Sequence, residues 1–230
     1  MTALRVVSLV PSVTETLLAW GVTPVACTRF CEQPDLPHVG GTKDPDVASI
    51  VALRPDVVVV DEEENRREDA DALAAAGVAV HVTAVRSLTD VAPALAGLRE
   101  RLGLTDDTPE SMPISTSAGR PALRTFVPIW RRPWMTINRD TYGSSLLEAI
   151  GVGNVFATDA TRYPETSLEE ARRRRPDVVL APSEPYPFGE RQRGELEQVA
   201  PVTFIDGRDL FWWGTRTPAA IARLREQLIA

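Results

Sequence analysis

The sequence predicts an α/β protein of two Rossmann-like lobes with parallel sheets, joined by a connecting helix and segment. Three observations lead there. Short apolar, β-branched runs alternate with helical patterns along the chain, the order that builds parallel sheets. One segment occurs twice with little change, as Leu53-Arg54-Pro55-Asp56-Val57-Val58-Val59 and as Arg174-Arg175-Pro176-Asp177-Val178-Val179-Leu180. Between the copies, residues 103–121 are rich in Thr, Ser, Pro and Gly with little periodicity, which marks a lobe boundary. The expected division is therefore a first lobe at residues 1–86, a connecting helix and linker at 87–121, and a second lobe at 122–230. A length of 230 residues with 43% hydrophobic side chains can fill two such cores.

The elements follow in order. Residues 4–10 form an apolar strand, and Ser12 and Glu15 have capping-box spacing for a helix that stops at Gly21. Residues 25–27 give a short strand. The run Gly40-Gly41-Thr42-Lys43-Asp44-Pro45 reads as a tight turn before a helix at 46–53, capped by Asp44 or Asp46. Residues 57–60 are unbroken valine, as in a strand covered on both faces. A helix at 66–76 ends at Gly77, a strand follows at 78–83, and a helix at 88–102 tolerates Pro93. In the second half strands are expected at 124–129, 134–137, 154–157, 178–181 and 202–205. Helices are expected at 144–150, 167–175, 190–199 and 218–229.

Charge and composition exclude several classes. A net charge of -7 and a pI of about 5.0 argue against nucleic acid or an anionic membrane as partner, since both require a basic face. The run from Arg172 to Arg175 sits where it offsets a helix dipole. No apolar stretch is long enough to span a membrane. The first strand begins within three residues of Met1, which leaves no room for a secretory signal. With Met1 as the natural start the expected location is cytoplasmic; for a trimmed chain it is extracytoplasmic.

No catalytic signature is present: G-x-S-x-G, Walker A, G-x-G-x-x-G and H-E-x-x-H are all missing. Cys27, Cys31 and His38 give C-x3-C-x6-H, which is not a zinc spacing, so the cysteines read as small, partly buried residues. His81 lies inside a strand. The expectation is a binding protein and not an enzyme, with no catalytic residue, no protein-bound metal and no intrinsic cofactor. Two alternatives stay open. One is a metal-dependent enzyme using the cluster Asp61-Glu62-Glu63-Glu64. The other is an interaction module with an aromatic face.

In parallel α/β sheets ligands bind beyond the carboxyl ends of the strands. Nine of the 14 aromatic residues lie in or beside the loops there. They are Phe30, Trp134, Tyr142 and Tyr163, then Tyr186 and Phe188 in a Pro-rich loop, and finally Phe211, Trp212 and Trp213. Such rings suit a large flat ligand, which Glu63, Asn65 and Glu184 would hold by hydrogen bonds.

Several segments resemble a known family. They are Ser8-Leu9-Val10-Pro11-Ser12-Val13-Thr14-Glu15, Val39-Gly40-Gly41-Thr42-Lys43-Asp44-Pro45-Asp46 and the two Arg-Pro-Asp strands, with Gly153-Asn154-Val155-Phe156 and Tyr163-Pro164-Glu165-Thr166-Ser167-Leu168-Glu169-Glu170. Together they resemble the helical-backbone metal receptors, the class III substrate-binding proteins for vitamin B12, haem and ferric siderophores, and above all the cobalamin branch. The resemblance implies a monomer that takes up cobalamin or another metal chelate between two lobes. It also implies a partner, the permease of an ABC importer, met by one acidic residue on each lobe. Glu169 matches that position in the second lobe, and Glu68 lies near it in the first. The Pro/Ser/Thr-rich connector departs from the family, which has a long helix there.

Overall fold

A computed structural model describes residues 4–104 and 121–229 of the chain. Most of the linker expected at 103–121, namely residues 105–120, lies outside them. The chain divides into two compact units. Among the described residues the first comprises 4–85, 89–104 and 213–215, and the second 86–88, 121–212 and 216–229.

The first unit runs β1 (Val6–Ser8), α1 (Pro11–Ala19), β2 (Ala26–Cys27), α2 (Val47–Ala52), β3 (Val57–Asp61), α3 (Arg67–Ala75) and β4 (Val80–Thr83), followed by α4 (Leu88–Leu102). Its four strands form a parallel sheet in the order β2-β1-β3-β4. Every residue of β3 is buried, as its valine run predicts. Val7, Leu9, Val58, Val60, Ile50 and Leu73 form the core. Each such side chain stabilises the fold by about 2 kcal/mol through burial. Helix α4 keeps its expected bounds with Pro93 inside, and from Thr89 onward it belongs to this unit.

The start of α1 differs from expectation. Pro11 occupies the first helical position after Val10, so Ser12 falls within the first turn, where it cannot cap. The hydroxyls of Thr14 and Thr16 instead donate back to the carbonyls of Val10 and Ser12. At α2 the cap is Asp46, whose carboxylate accepts from the Ser49 N–H at 3.0 Å.

The second unit runs β5 (Leu123–Phe126), β6 (Trp130–Arg131), β7 (Trp134–Met135), α5 (Tyr142–Ala149), β8 (Val152–Asn154), β9 (Glu165–Thr166) and α6 (Leu168–Arg173). It continues with β10 (Val178–Pro182), α7 (Glu190–Leu196), β11 (Val202–Ile205), α8 (Gly207–Phe211) and α9 (Thr217–Ile229). A parallel sheet has the order β11-β10-β5-β8, and β6, β7 and β9 form a small antiparallel sheet. Phe126 and Phe156 pack at 5.5 Å in the core with Val179, Ala181 and Leu196.

Three differences from the sequence expectations have local causes. Strand β8 starts at Val152, before the expected 154–157. Gly153 permits this, because a Cβ there would stand 2.7 Å from Pro121. The strand expected at 134–137 is a two-residue arm that pairs with β6 and β9. Helix α8 was read as loop; Asp206 caps it, accepting from the Arg208 N–H at 3.0 Å.

Candidate functional site

In the first unit the loop after β2 carries Phe30, 51% exposed, with the Arg29 guanidinium 4.8 Å from its ring centroid. Arg29 is in turn paired with Asp44 at 3.0 Å. Gly40 and Gly41 let these segments close up. Gly40 has a φ of 91°, and a Cβ at Gly41 would meet Asp44 and Arg29.

The loop after β3 is held largely by its own polar groups. Asp61 is buried; its carboxylate accepts from the Glu63 N–H and the Thr83 hydroxyl, both at 2.9 Å. Burial pushes its carboxyl above the usual range, against those bonds. Asn65 accepts from the Asp61 N–H at 2.7 Å and donates to the carbonyls of Thr42 and Leu9. These groups therefore shape the loop, and Asn65 is a buried brace rather than a surface donor. Glu63 is half-buried, its carbonyl accepting from Lys43. Among the described residues no three His, Cys, Asp or Glu side chains gather as a metal site.

The second unit brings its aromatic residues together more closely. Trp130 and Trp134 sit on β6 and β7, opposite one another's neighbours in an antiparallel register. Tyr186 and Phe188 come from the loop after β10. The rings form a continuous path: Trp130 meets Tyr186 edge-on at 5.6 Å, Tyr186 meets Phe188 at 4.6 Å, and Phe188 stacks on Trp134 at 5.9 Å and 7°. Phe188 is buried in the core cluster and supports the others. Trp130 is 45% exposed at the open end. Arg131 anchors β6 by donating to Glu195 at 2.9 Å.

The loop after β10 rests on α8. A Cβ at Gly207 would stand 2.6 Å from the Glu184 nitrogen, so only glycine allows this approach. The Gly207 N–H donates to the Ser183 hydroxyl at 2.9 Å. Glu184 is half-buried. Helix α8 presents Phe211 and then Trp212, both half-buried, with the Arg216 guanidinium 5.5 Å from the Trp212 ring. Asp209 fixes this region from beneath. It is buried and paired with Arg216 at 3.0 Å and Arg223 at 2.6 Å.

The remaining candidates separate. Tyr163 is 39% exposed, and Trp213 is buried. Tyr142 is also buried, its hydroxyl 2.9 Å from that of Thr217, and burial raises its phenol above the ordinary range. Tyr142, Phe188 and Trp213 are thus packing groups, whereas Phe30, Tyr163, Tyr186 and Trp212 keep accessible surface. Trp130 was missed. Its signal was present, since it follows β5 at the carboxyl end, but residues 124–129 were read as strand and the arm beyond them was not resolved.

Glu68 and Glu169 are both exposed, Glu169 3.2 Å from Arg173. The internal repeat gives their register. Aligning the two Arg-Pro-Asp segments places cap Asp46 on cap Ser167, and therefore Ala48 on Glu169. Glu68 belongs to the next helix. Beside Glu169 lies an open polar pocket whose walls, Asp159, Glu170, Arg173 and Arg174, are joined by ion pairs.

Residues 6–103 match the periplasmic binding protein family. The vitamin B12-binding protein of Salmonella paratyphi A is 25% identical over 193 residues, 76% of this chain and 71% of that protein. Its Yersinia pestis counterpart is 27% identical over 195 residues, 76% and 68% of the two chains. The chain is thus similar over three quarters of its length to vitamin B12-binding proteins, and its first unit to periplasmic binding proteins. Solved structures share the fold at low identity. The periplasmic vitamin B12 binding protein of Vibrio cholerae aligns with a TM-score of 0.78 at 19% identity, over 96% of this chain and 95% of that one. The periplasmic haem binding protein of the same organism aligns at 0.81 and 19%, over 100% of both chains. Among the described residues no helix is long and apolar enough to cross a membrane.

Proposed function

We propose that this chain is a class III substrate-binding protein that takes up a corrinoid, a vitamin B12-like metal chelate, and delivers it to an ABC importer. The observation that carries this reading is the exposed end of the aromatic path, Trp130 and Tyr186, in a chain related over 76% of its length to vitamin B12-binding proteins. A corrin is a wide ring with apolar faces and amide-bearing edges. Rings on fixed supports contact such a face with little entropy loss, each contributing about 1 kcal/mol. In the second lobe Trp134, Tyr163, Phe211 and Trp212 extend the surface, and Glu184 receives amide donors. In the first lobe Phe30 and Glu63 play the same two parts. The chelate is cargo, so no intrinsic cofactor is needed.

An extracytoplasmic location accords with the periplasmic family match, which gives the cytoplasmic expectation no support. Glu169 is the leading contact for the importer. Glu68 is the weaker one, because the repeat puts Ala48 at the matching place.

Tryptophan fluorescence of the purified protein, titrated with cyanocobalamin, haemin and a ferric hydroxamate under inner-filter correction, tests the ligand. Saturable quenching by cyanocobalamin is expected, weakened about tenfold in Trp130→Ala and Tyr186→Ala with the unfolding midpoint unchanged. Saturation by haemin alone would replace the corrinoid with a porphyrin. Saturation by none of the three would defeat the reading.

A further inference from the structure

The loop after β2 holds a pair of groups that chelate binding does not use. Cys27 ends β2 and Cys31 lies four residues on; both are free and buried. Main-chain bonds fix Cys27 on both sides. Its N–H donates to the Pro37 carbonyl and its own carbonyl accepts from the Val39 N–H, each at 2.9 Å. A turn brings Cys31 back toward it, with the Cys31 N–H donating to the Thr28 carbonyl at 3.1 Å. The turn sets the two thiols near enough that each changes the acidity of the other.

Two hydroxyls complete the surroundings of the Cys31 sulfur. The Thr14 hydroxyl, from α1, lies 3.2 Å from it and shares its proton between the sulfur and the Val10 carbonyl at 3.1 Å, and the Thr28 hydroxyl also lies at 3.2 Å. The Thr28 oxygen also accepts from the Phe30 N–H at 3.3 Å, which fixes the hydroxyl beside the sulfur. Two hydroxyls and a second thiol around one sulfur favour its thiolate. They hold the Cys31 thiol below its ordinary range although burial acts the other way, while Cys27 is held above its own.

We propose that Cys27 and Cys31 are a reversible dithiol–disulfide site oxidised by small peroxides, with Cys31 the attacking sulfur and Cys27 the resolving one. The Cys31 thiolate attacks one oxygen of hydrogen peroxide; the O–O bond breaks, hydroxide leaves, and the sulfur becomes a sulfenic acid. The Cys27 sulfur then displaces that hydroxyl, its own proton joining the departing oxygen as water. Two electrons pass from the dithiol to the peroxide, and a dithiol reductant reverses the change. Access needs only local opening, because Cys31 lies between exposed Phe30 and exposed Glu32, whose φ of 53° is left-handed. A peroxide is small enough to use it, unlike a bulky disulfide.

Peptide mapping of the full chain tests this, independently of any chelate. Purified reduced protein is treated with equimolar hydrogen peroxide, alkylated under denaturing conditions and cut with trypsin. Cleavage after Arg29 places the two cysteines on different peptides, 6–29 and 30–43. The expected product is one joined mass that dithiothreitol separates, with both alkylation sites lost together. In Cys27→Ala the reaction is expected to stop at a Cys31 sulfenic acid, trapped by dimedone. In Cys31→Ala, Cys27 is expected to remain alkylatable. Two fully alkylated cysteines after excess peroxide, or joined peptides found only in covalent dimers, would overturn the proposal. The wild-type map decides this even if a variant misfolds.

Discussion

Asp56 and Asp177 occupy the same place in the two lobes and make the same bonds. Each closes the turn before a central strand and accepts from the N–H of an arginine opening a neighbouring strand, Arg5 at 2.7 Å and Arg124 at 2.8 Å. Each returns its own N–H to that arginine's carbonyl at 2.8 Å. The arginine side chains reach back to the carbonyls of the preceding helix end, Leu53 in one lobe and Arg174 and Arg175 in the other. Arg54 and Arg175 adopt the same left-handed conformation. At the other end of the same two strands the likeness stops. After β3 comes a polar loop tied up in its own hydrogen bonds; after β10 comes a Pro-rich aromatic loop resting on Gly207. The amino end answers a need that every helix-to-strand connection has, joining chain segments without losing hydrogen bonds. The carboxyl end is free of that need and takes whatever side chains the cargo demands.

The largest expected effect comes from removing what supports the divergent end. Asp209 is buried against Arg216 and Arg223, so Asp209→Asn removes the carboxylate beside the largely buried Arg216 and is expected to lower stability by about 2–3 kcal/mol in urea unfolding at neutral pH. The pH dependence follows from its shift. Arg223, then Arg216, hold the Asp209 carboxyl below the usual range despite burial. Its contribution is therefore present above the unfolded value of about 3.9 and lost as pH falls through the lower folded value. The gap between wild type and variant should close on acidification; a gap constant down to pH about 2 would show that the ion pairs do not carry it.

A smaller effect is expected at the clamps. Asp56→Ala and Asp177→Ala each remove one charge-assisted bond to a main-chain N–H, which costs about 1–2 kcal/mol. The informative result is equality. Matching losses in chemical unfolding would establish the two amino ends as equivalent in energy as well as geometry. A difference above about 1 kcal/mol would break the comparison, since the bonds are the same.

The same contrast explains what was legible in the sequence. The repeat that carries the clamps was visible, as Arg-Pro-Asp twice before a valine-rich strand, although the bonds that Asp56 and Asp177 make were not. The sheets, the uninterrupted helix through Pro93 and the Asp46 cap were legible for similar local reasons. The site was legible only as a bias of aromatic residues toward certain loops. Which rings face out depends on contacts far apart in sequence. Phe188 is buried because Trp134 stacks on it, and Trp130 is displayed because β6 and β7 fold into an arm. Asn65 looks like a surface donor until the carbonyls of Leu9 and Thr42 are found at its amide. Helix α8 was hidden because its start depends on Gly207 meeting Glu184, a contact no local pattern encodes.

The smallest effect on the molecule itself is expected at Glu169. Its side chain is 78% exposed and among the described residues it pairs with Arg173 on its own helix, so Glu169→Ala should change stability by less than about 0.5 kcal/mol. Its effect on delivery is expected to be much larger. In a reconstituted importer, uptake of the cargo should fall with Glu169→Ala while binding in solution is unchanged. Glu68→Ala should do less, because the repeat aligns Glu169 with Ala48 and leaves Glu68 one helix away. Equal losses for the two variants would mean that the partner ignores the register shared by the lobes. Loss from Glu68→Ala alone would move the docking surface to α3.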